Sequence, residues 1–286
     1  IKTMQDNHKD DPFFSVYKTP DILARLIEKG ALGQKTGAGF YKKVGKEIQR
    51  LDFATGEYVP SGAKAADIVG RILKEKDPVK KFKAMRDSTN PQAQFLWAIF
   101  RDAFHYIAFH LDTIADNARD VDFAMRWGFG WSVGPFETWQ AAGWTQIAQW
   151  VKEDIDAGKA LSNAPLPAWV FEGSVAEKGV HTADGSYSVT KNAYVPVSDL
   201  PVYKRQQFRA PVVGSTTIDA KTFGTTVFED DSVRLWHSDD EVLVISLKTK
   251  MHVIGDGVIK GIQRALKEAE QGYKGVVIWN TDAAEG

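Results

Sequence analysis

The spacing of apolar and polar positions divides the chain into a long helical stretch and a shorter stretch of strands. Asp21 to Lys29 reads as a short amphipathic helix, opened by Pro20 and stopped by Gly30. Ala65 to Lys76 carries Ile68, Val69, Ile72 and Leu73 on one side, and Asp77-Pro78 caps a further helix showing Val79, Phe82 and Met85. Residues 92–116 are the longest helical candidate. Leu96, Phe100, Ala103, Ile107, Leu111 and Ile114 fall at helical spacing, and Phe95, Ile99 and Phe104 widen the stripe, so burial on more than one side is expected. Asp122 to Trp127 and Thr145 to Asp156 add two helices, joined through Gly128, Gly130, Gly134-Pro135 and Gly143. Residues 1–190 therefore read as mostly helical.

Beyond residue 190 the helical period is lost. Pro196, Pro201, Pro211 and β-branched residues mark 191–227 as a linker. Val233 to Trp236 and Val242 to Leu247 then suggest a hairpin, split by Ser238-Asp239-Asp240. Residues 242–247 read as a buried strand. Residues 256–271 follow as a helix with Val258, Ile262, Ala265, Leu266 and Ala269 on one face, and Val276 to Trp279 as a second buried strand. Such a βαβ unit binds ligands beyond the carboxyl ends of its strands, so a site loop is expected to begin near Asn280. The chain stops soon after, at Gly286, and opens at Ile1 on a polar run from Gln5 to Asp11, so an internal piece of a longer protein is expected.

One internal repeat is visible. Pro20, Glu28-Lys29-Gly30 and Gly39-Phe40-Tyr41 are echoed by Pro167, Glu177-Lys178-Gly179 and Gly185-Ser186-Tyr187, the second copy being three residues shorter between its glycine landmarks. A pair of helical modules, the second degenerate, accounts for this.

Composition narrows the function classes. The 286 residues are 43% apolar, and 36 basic side chains stand against 37 acidic ones, so bulk charge points to neither nucleic acid nor a membrane surface. With no cysteine there is no disulfide framework and no thiolate-held zinc. No apolar run approaches the roughly 20 residues of a membrane helix, and together these features predict a cytoplasmic setting.

The candidate motifs are mostly structural in chemistry. Gly30, Gly33, Gly37 and Gly39 match neither phosphate-cradle spacing, and no strand precedes them, so a tight helix exit into a packed Phe40-Tyr41 is expected. His105 and His110 lie about 140° apart round a helix and share no ligand face; they read as helix histidines satisfied by packing or solvent. The run from Trp127 to Trp139 has only Arg126 close by, which favours packing over base stacking. His252 falls where a βα turn is expected.

Taken together these stretches resemble the C-terminal parts of L-3-hydroxyacyl-CoA dehydrogenases. Leu26 to Tyr41 looks like that family's closing motif, and Val121-Asp122 with Gly128-Phe129-Gly130 and Gly134-Pro135-Phe136-Glu137 through Gly143 is similar to its inner motif. The last ~55 residues resemble the start of a crotonase (enoyl-CoA hydratase/isomerase) domain, with Lys250 to Ile254 standing where that family has its first ligand-side turn. The resemblance implies an α+β chain: helical dehydrogenase modules, then an incomplete α/β crotonase-like segment. It divides as 1–60, the end of a first module and a linker; 61–190, a second module; 191–227, a linker; and 228–286, the crotonase start. It implies a multifunctional fatty-acid β-oxidation enzyme that uses NAD and coenzyme A thioesters, with acyl-CoA substrates as partners and homo-oligomers left open. No catalytic residue or metal site is assigned. Lys250, Met251 and Val253 are the candidate contacts to coenzyme A, and the chain alone is expected to be inactive and to hold no cofactor. The alternative is a helical interaction module or a non-catalytic CoA-binding remnant.

Overall fold

In the computed structural model of the chain, residues 1–62, 64–206, 208, 212–213 and 219–279 are described. They form two compact units, the first made of residues 1–197 with 212–213, the second of 198–206, 208 and 219–279. Both mix helix and sheet, and the chain is α+β.

The first unit opens with α1 (Lys2–Asn7) and α2 (Asp21–Glu28), then an antiparallel sheet of β1 (Tyr41–Val44), β2 (Glu47–Leu51) and β3 (Tyr58–Pro60). Helices α3 (Asp67–Lys74), α4 (Pro78–Asp87), α5 (Pro91–Ile114), α6 (Ala118–Phe129), α7 (Pro135–Ala141) and α8 (Trp144–Asp156) build its core. It closes with α9 (Gly173–Lys178) and a second antiparallel sheet, β4 (His181–Thr182), β5 (Gly185–Ser188) and β6 (Ala193–Val195). The start signals act as their chemistry predicts. Asp77 accepts the Val79 and Lys80 amides at 2.9 and 3.3 Å, and Asn90 caps α5 through Gln92 and Ala93.

Phe104 and Trp139, both fully buried, stack at 5.3 Å, and Trp139 stacks on Trp144 at 4.2 Å. Truncating either residue to Ala would cost about 3–5 kcal/mol. Two side chains of the wide α5 stripe behave otherwise: Phe95 and Ile99 lie on the surface, while Phe104 is central. The packed Phe40-Tyr41 expected after the glycine turn is also corrected, because Tyr41 opens a strand whose four residues are all exposed. With Lys42, Lys43 and Glu47 flanking the turn, β1 and β2 show no apolar alternation, which hides them from a periodicity reading.

The second unit holds α10 (Pro201–Lys204), β7 (Thr225–Glu229), β8 (Val233–His237), β9 (Val242–Leu247), α11 (Asp256–Ala269) and β10 (Gly275–Trp279). The sheet order is β10-β9-β8-β7, with β8 and β9 antiparallel and β9 and β10 parallel across α11. The expected hairpin and βαβ unit are therefore both present. β6, α10 and the first residues of β7 lie within 191–227. Val258 and Ala265 of α11 seal one sheet face over Val233, Leu235, Leu243 and Ile245. Two readings are corrected: Leu266 turns to solvent, and β10 is not a buried strand, since Val277 and Ile278 are about half exposed. Asn280, where a site loop was expected, lies outside the described residues.

Candidate functional site

Two places carry the chemistry, one in each unit. In the first unit the Gly-Pro-Phe-Glu segment begins α7 without a side chain at its N-cap, because Gly134 has none. The missing acceptor comes from α6. Asp122 Oδ1 accepts the Phe136 amide at 2.7 Å and the Glu137 amide at 3.4 Å, and so caps α7 from another helix. A Cβ on residue 134 would stand 2.3 Å from that of Asp122, so only glycine lets the carboxylate come this close. Glu137 returns the contact through Oε2 to the Gly134 amide at 2.7 Å, while Arg126 meets its Oε1 at 3.3 Å.

The other oxygen of Asp122 faces His181 Nε2 at 2.6 Å, and His181 Nδ1 lies 2.9 Å from Ser186 Oγ. With the Nε2 proton donated to Asp122, Nδ1 accepts from the serine. Burial pushes the Asp122 carboxyl above its ordinary range, against the pull of His181 and the Phe136 and Glu137 amides. Gln140 fixes His181 from its backbone, donating to its carbonyl at 2.8 Å and accepting its amide at 2.9 Å. A serine, a histidine and an aspartate in series suggest nucleophilic chemistry. Burial rules against it, since Asp122 is fully covered and His181 and Ser186 are 2% exposed, leaving no room for a substrate. This is a structural knot. Only Asp122 and the glycine segment were legible in the sequence; His181, Ser186 and Gln140 were missed, and the landmark at Gly179 was the available hint.

Beside the knot, a cleft of about 690 Å³ runs between α5 and α6. Ala103, Ile107, Val121, Ala124, Met125 and Trp131 line it, with Asp116 and Asp120 at its edge. Its walls suit an apolar chain, and Tyr106 adds a hydroxyl to them. None of Lys250, Met251 and Val253 lines it.

Those three residues sit together in the second unit, in the turn between β9 and α11. Residues 250–252 form one 3₁₀ turn in which Met251 (φ 55°) and His252 (φ 52°) both take the left-handed conformation without being glycine. Two such residues in succession store strain of the kind found at ligand clamps. Lys250 is exposed, as are Met251 (70%) and Val253 (61%). The backbone of Val253 is engaged within the turn, its amide donating to the Lys250 carbonyl at 3.3 Å and its carbonyl accepting Thr249 Oγ1 at 2.9 Å. What the turn offers a ligand is thus the Lys250 ammonium, the Met251 backbone and an apolar surface that Ile254 extends. Gly255 then opens α11. Among the described residues no group of His, Cys, Asp and Glu could hold a metal, and no helix is long and apolar enough to cross a membrane.

No family model matches the chain, and no solved structure does. Curated relatives do. A putative fatty acid oxidation complex trifunctional enzyme of Rickettsia prowazekii (strain Madrid E) is 22% identical over 275 residues, and one of the same name from Rickettsia felis is 22% identical over 276. The chain spans about a third of the length of the relatives it matches: 32% of the first of these. A probable 3-hydroxyacyl-CoA dehydrogenase of Bacillus subtilis (strain 168) is 31% identical over 268 residues, which are 93% of this chain and 32% of that protein.

Proposed function

We propose that this chain is the segment of a multifunctional β-oxidation enzyme that joins its 3-hydroxyacyl-CoA dehydrogenase part to a crotonase-like part. The whole protein oxidises 3-hydroxyacyl-CoA with NAD and hydrates or isomerises enoyl-CoA. Residues 1–60 close a first helical module, 61–190 form a second, 191–227 link, and 228–286 begin the crotonase-like domain. The observation that carries the reading is the likeness, along 93% of the chain, to a relative named a dehydrogenase of this substrate. The β9–α11–β10 unit, with its strained turn on the ligand side, supports the last part.

The chain's own residues do not fit a dinucleotide. Its parallel βα connection, Lys248 to Gly255, contains a single glycine and so lacks the close backbone approach to a pyrophosphate. NAD therefore belongs elsewhere in the longer protein, and no step is routed through it here. Coenzyme A is a better match at the turn: Lys250 supplies a cation for a phosphate and the Met251 backbone a polar edge. No catalytic residue is assigned. The 286-residue chain alone is expected to form no NADH from 3-hydroxyacyl-CoA, whereas a longer protein containing it does. Activity of the chain that survives purification to homogeneity would overturn its inactivity; an inactive longer protein would overturn the whole reading.

A second reading, a helical interaction module, rests on the α5–α6 cleft and the exposed Trp127, Phe129 and Trp131 in the same unit. Trp127→Glu with Phe129→Glu separates the two. Loss of a partner with dehydrogenase activity intact in the longer protein would favour it.

A further inference from the structure

His105 is the one histidine of α5 that the fold buries completely; no hydrogen bond of ordinary geometry reaches its ring nitrogens, and the Ala164 backbone is the polar group directed at the ring. A helix histidine satisfied by packing or solvent was expected, and solvent is excluded from this one. Its lid is the segment before α2. Phe13, itself 3% exposed, meets the His105 ring edge-on at 5.0 Å and the Tyr106 ring at the same distance. Two polar contacts hold the segment down: His110 Nε2 lies 3.3 Å from the Asp11 carboxylate, and Ser162 donates to the Pro12 carbonyl at 2.8 Å. Within the segment the same carboxylate receives the Tyr17 hydroxyl at 3.0 Å.

We propose that residues 11–17 are a proton-released strap, closed over α5 while His105 is neutral and freed when that ring takes up a proton. A buried imidazolium cut off from water would carry a large desolvation cost that the Ala164 backbone offsets only in part, whereas swinging Phe13 away admits water to the ring. The charged groups around His105 do not remove that cost. On α5, Asp102 favours the charged ring, but its carboxylate is already bound by Arg101 at 2.7 Å, and Arg101 itself opposes the charge. The loop after α8 contributes the Ala164 backbone, whose hydrogen bond pulls toward the charged form, and the strap contributes Asp11, committed to Tyr17 and His110. Burial outweighs these and holds His105 below its ordinary value.

The sign follows. A ring depressed in the closed strap and ordinary in the open one supports closure fully above pH about 6.5, and that support is lost as pH falls through 6.5 toward the depressed value. The strap also reaches beyond itself, because Tyr106, clasped by Phe13, lines the α5–α6 cleft. Opening the strap reshapes one wall of that cleft.

The chain has no cysteine, so Ser15→Cys, at an exposed strap position, takes a single nitroxide label. The mobile fraction of its resonance spectrum is expected to rise at least threefold between pH 7.5 and 5.5, with far-UV circular dichroism unchanged; one proton allows at most about tenfold per pH unit. Added His110→Gln keeps the rise, added His105→Leu abolishes it with the strap closed, and Phe13→Ala is mobile at both pH values. Should the leucine variant not fold, His105→Gln, neutral throughout, is read in its place. A spectrum indifferent to pH, a rise that persists without His105, or a rise that tracks loss of helix would each overturn the proposal.

Discussion

The knot at Asp122 and the turn at Met251 are opposites. In the first, a buried carboxylate spends its acceptors on the Phe136 and Glu137 amides and on His181, and every partner is fixed by another contact. In the second, two successive residues lie in the left-handed region, Met251 exposed and His252 half-buried, with an exposed lysine beside them. The arrangement that looks most like catalytic machinery is sealed, and the one that looks least like it is accessible. Chemistry-bearing residues in the right order are therefore, on their own, a weak sign of a site.

The sharpest way to break the contrast is to unseal the knot. His181→Leu leaves Asp122 buried without its charge partner, and should lower the first unit's stability by about 4 kcal/mol in urea unfolding. A change under 1 kcal/mol would mean that the pair holds little. Gly134→Ala comes next, at about 3 kcal/mol, from the overlap with Asp122 and the loss of the shared cap. The turn should respond with the opposite sign. Met251→Gly relieves the left-handed strain at a side chain that is 70% exposed, and is expected to stabilise the second unit by about 0.5–1 kcal/mol. If it destabilises instead, the strain reading fails. Smallest is Lys250→Ala, which should leave stability unchanged and weaken coenzyme A thioester binding by the longer protein at most about fivefold, more at low salt. Equal affinity at low ionic strength would remove Lys250 from the site.

How much of this the sequence disclosed depended on distance along the chain. Helices with a long apolar face or a local cap were legible: α4 from Asp77-Pro78, α5 and α11 from their spacing. α7 was not, since it has seven residues and its capping oxygen belongs to Asp122 on another helix. The β1–β3 sheet was hidden because its strands are short and their apolar residues do not alternate with polar ones. The turn between β9 and α11 was placed by the strand–helix rhythm around it, while its left-handed residues were invisible, for nothing in Lys-Met-His favours positive φ. His181 was missed because its partner is 59 positions away and only the fold joins them.

The cap borrowed by α7 makes residues 122 and 134 a single inherited unit. The absence of a side chain at 134 has a purpose only while a carboxylate stands at 122, and that carboxylate fits only while 134 stays bare. In descendants of this sequence the two positions are expected to change in the same step: a lineage that loses the aspartate is released to place serine or asparagine at 134 and cap α7 locally, whereas either change alone passes through a less stable intermediate.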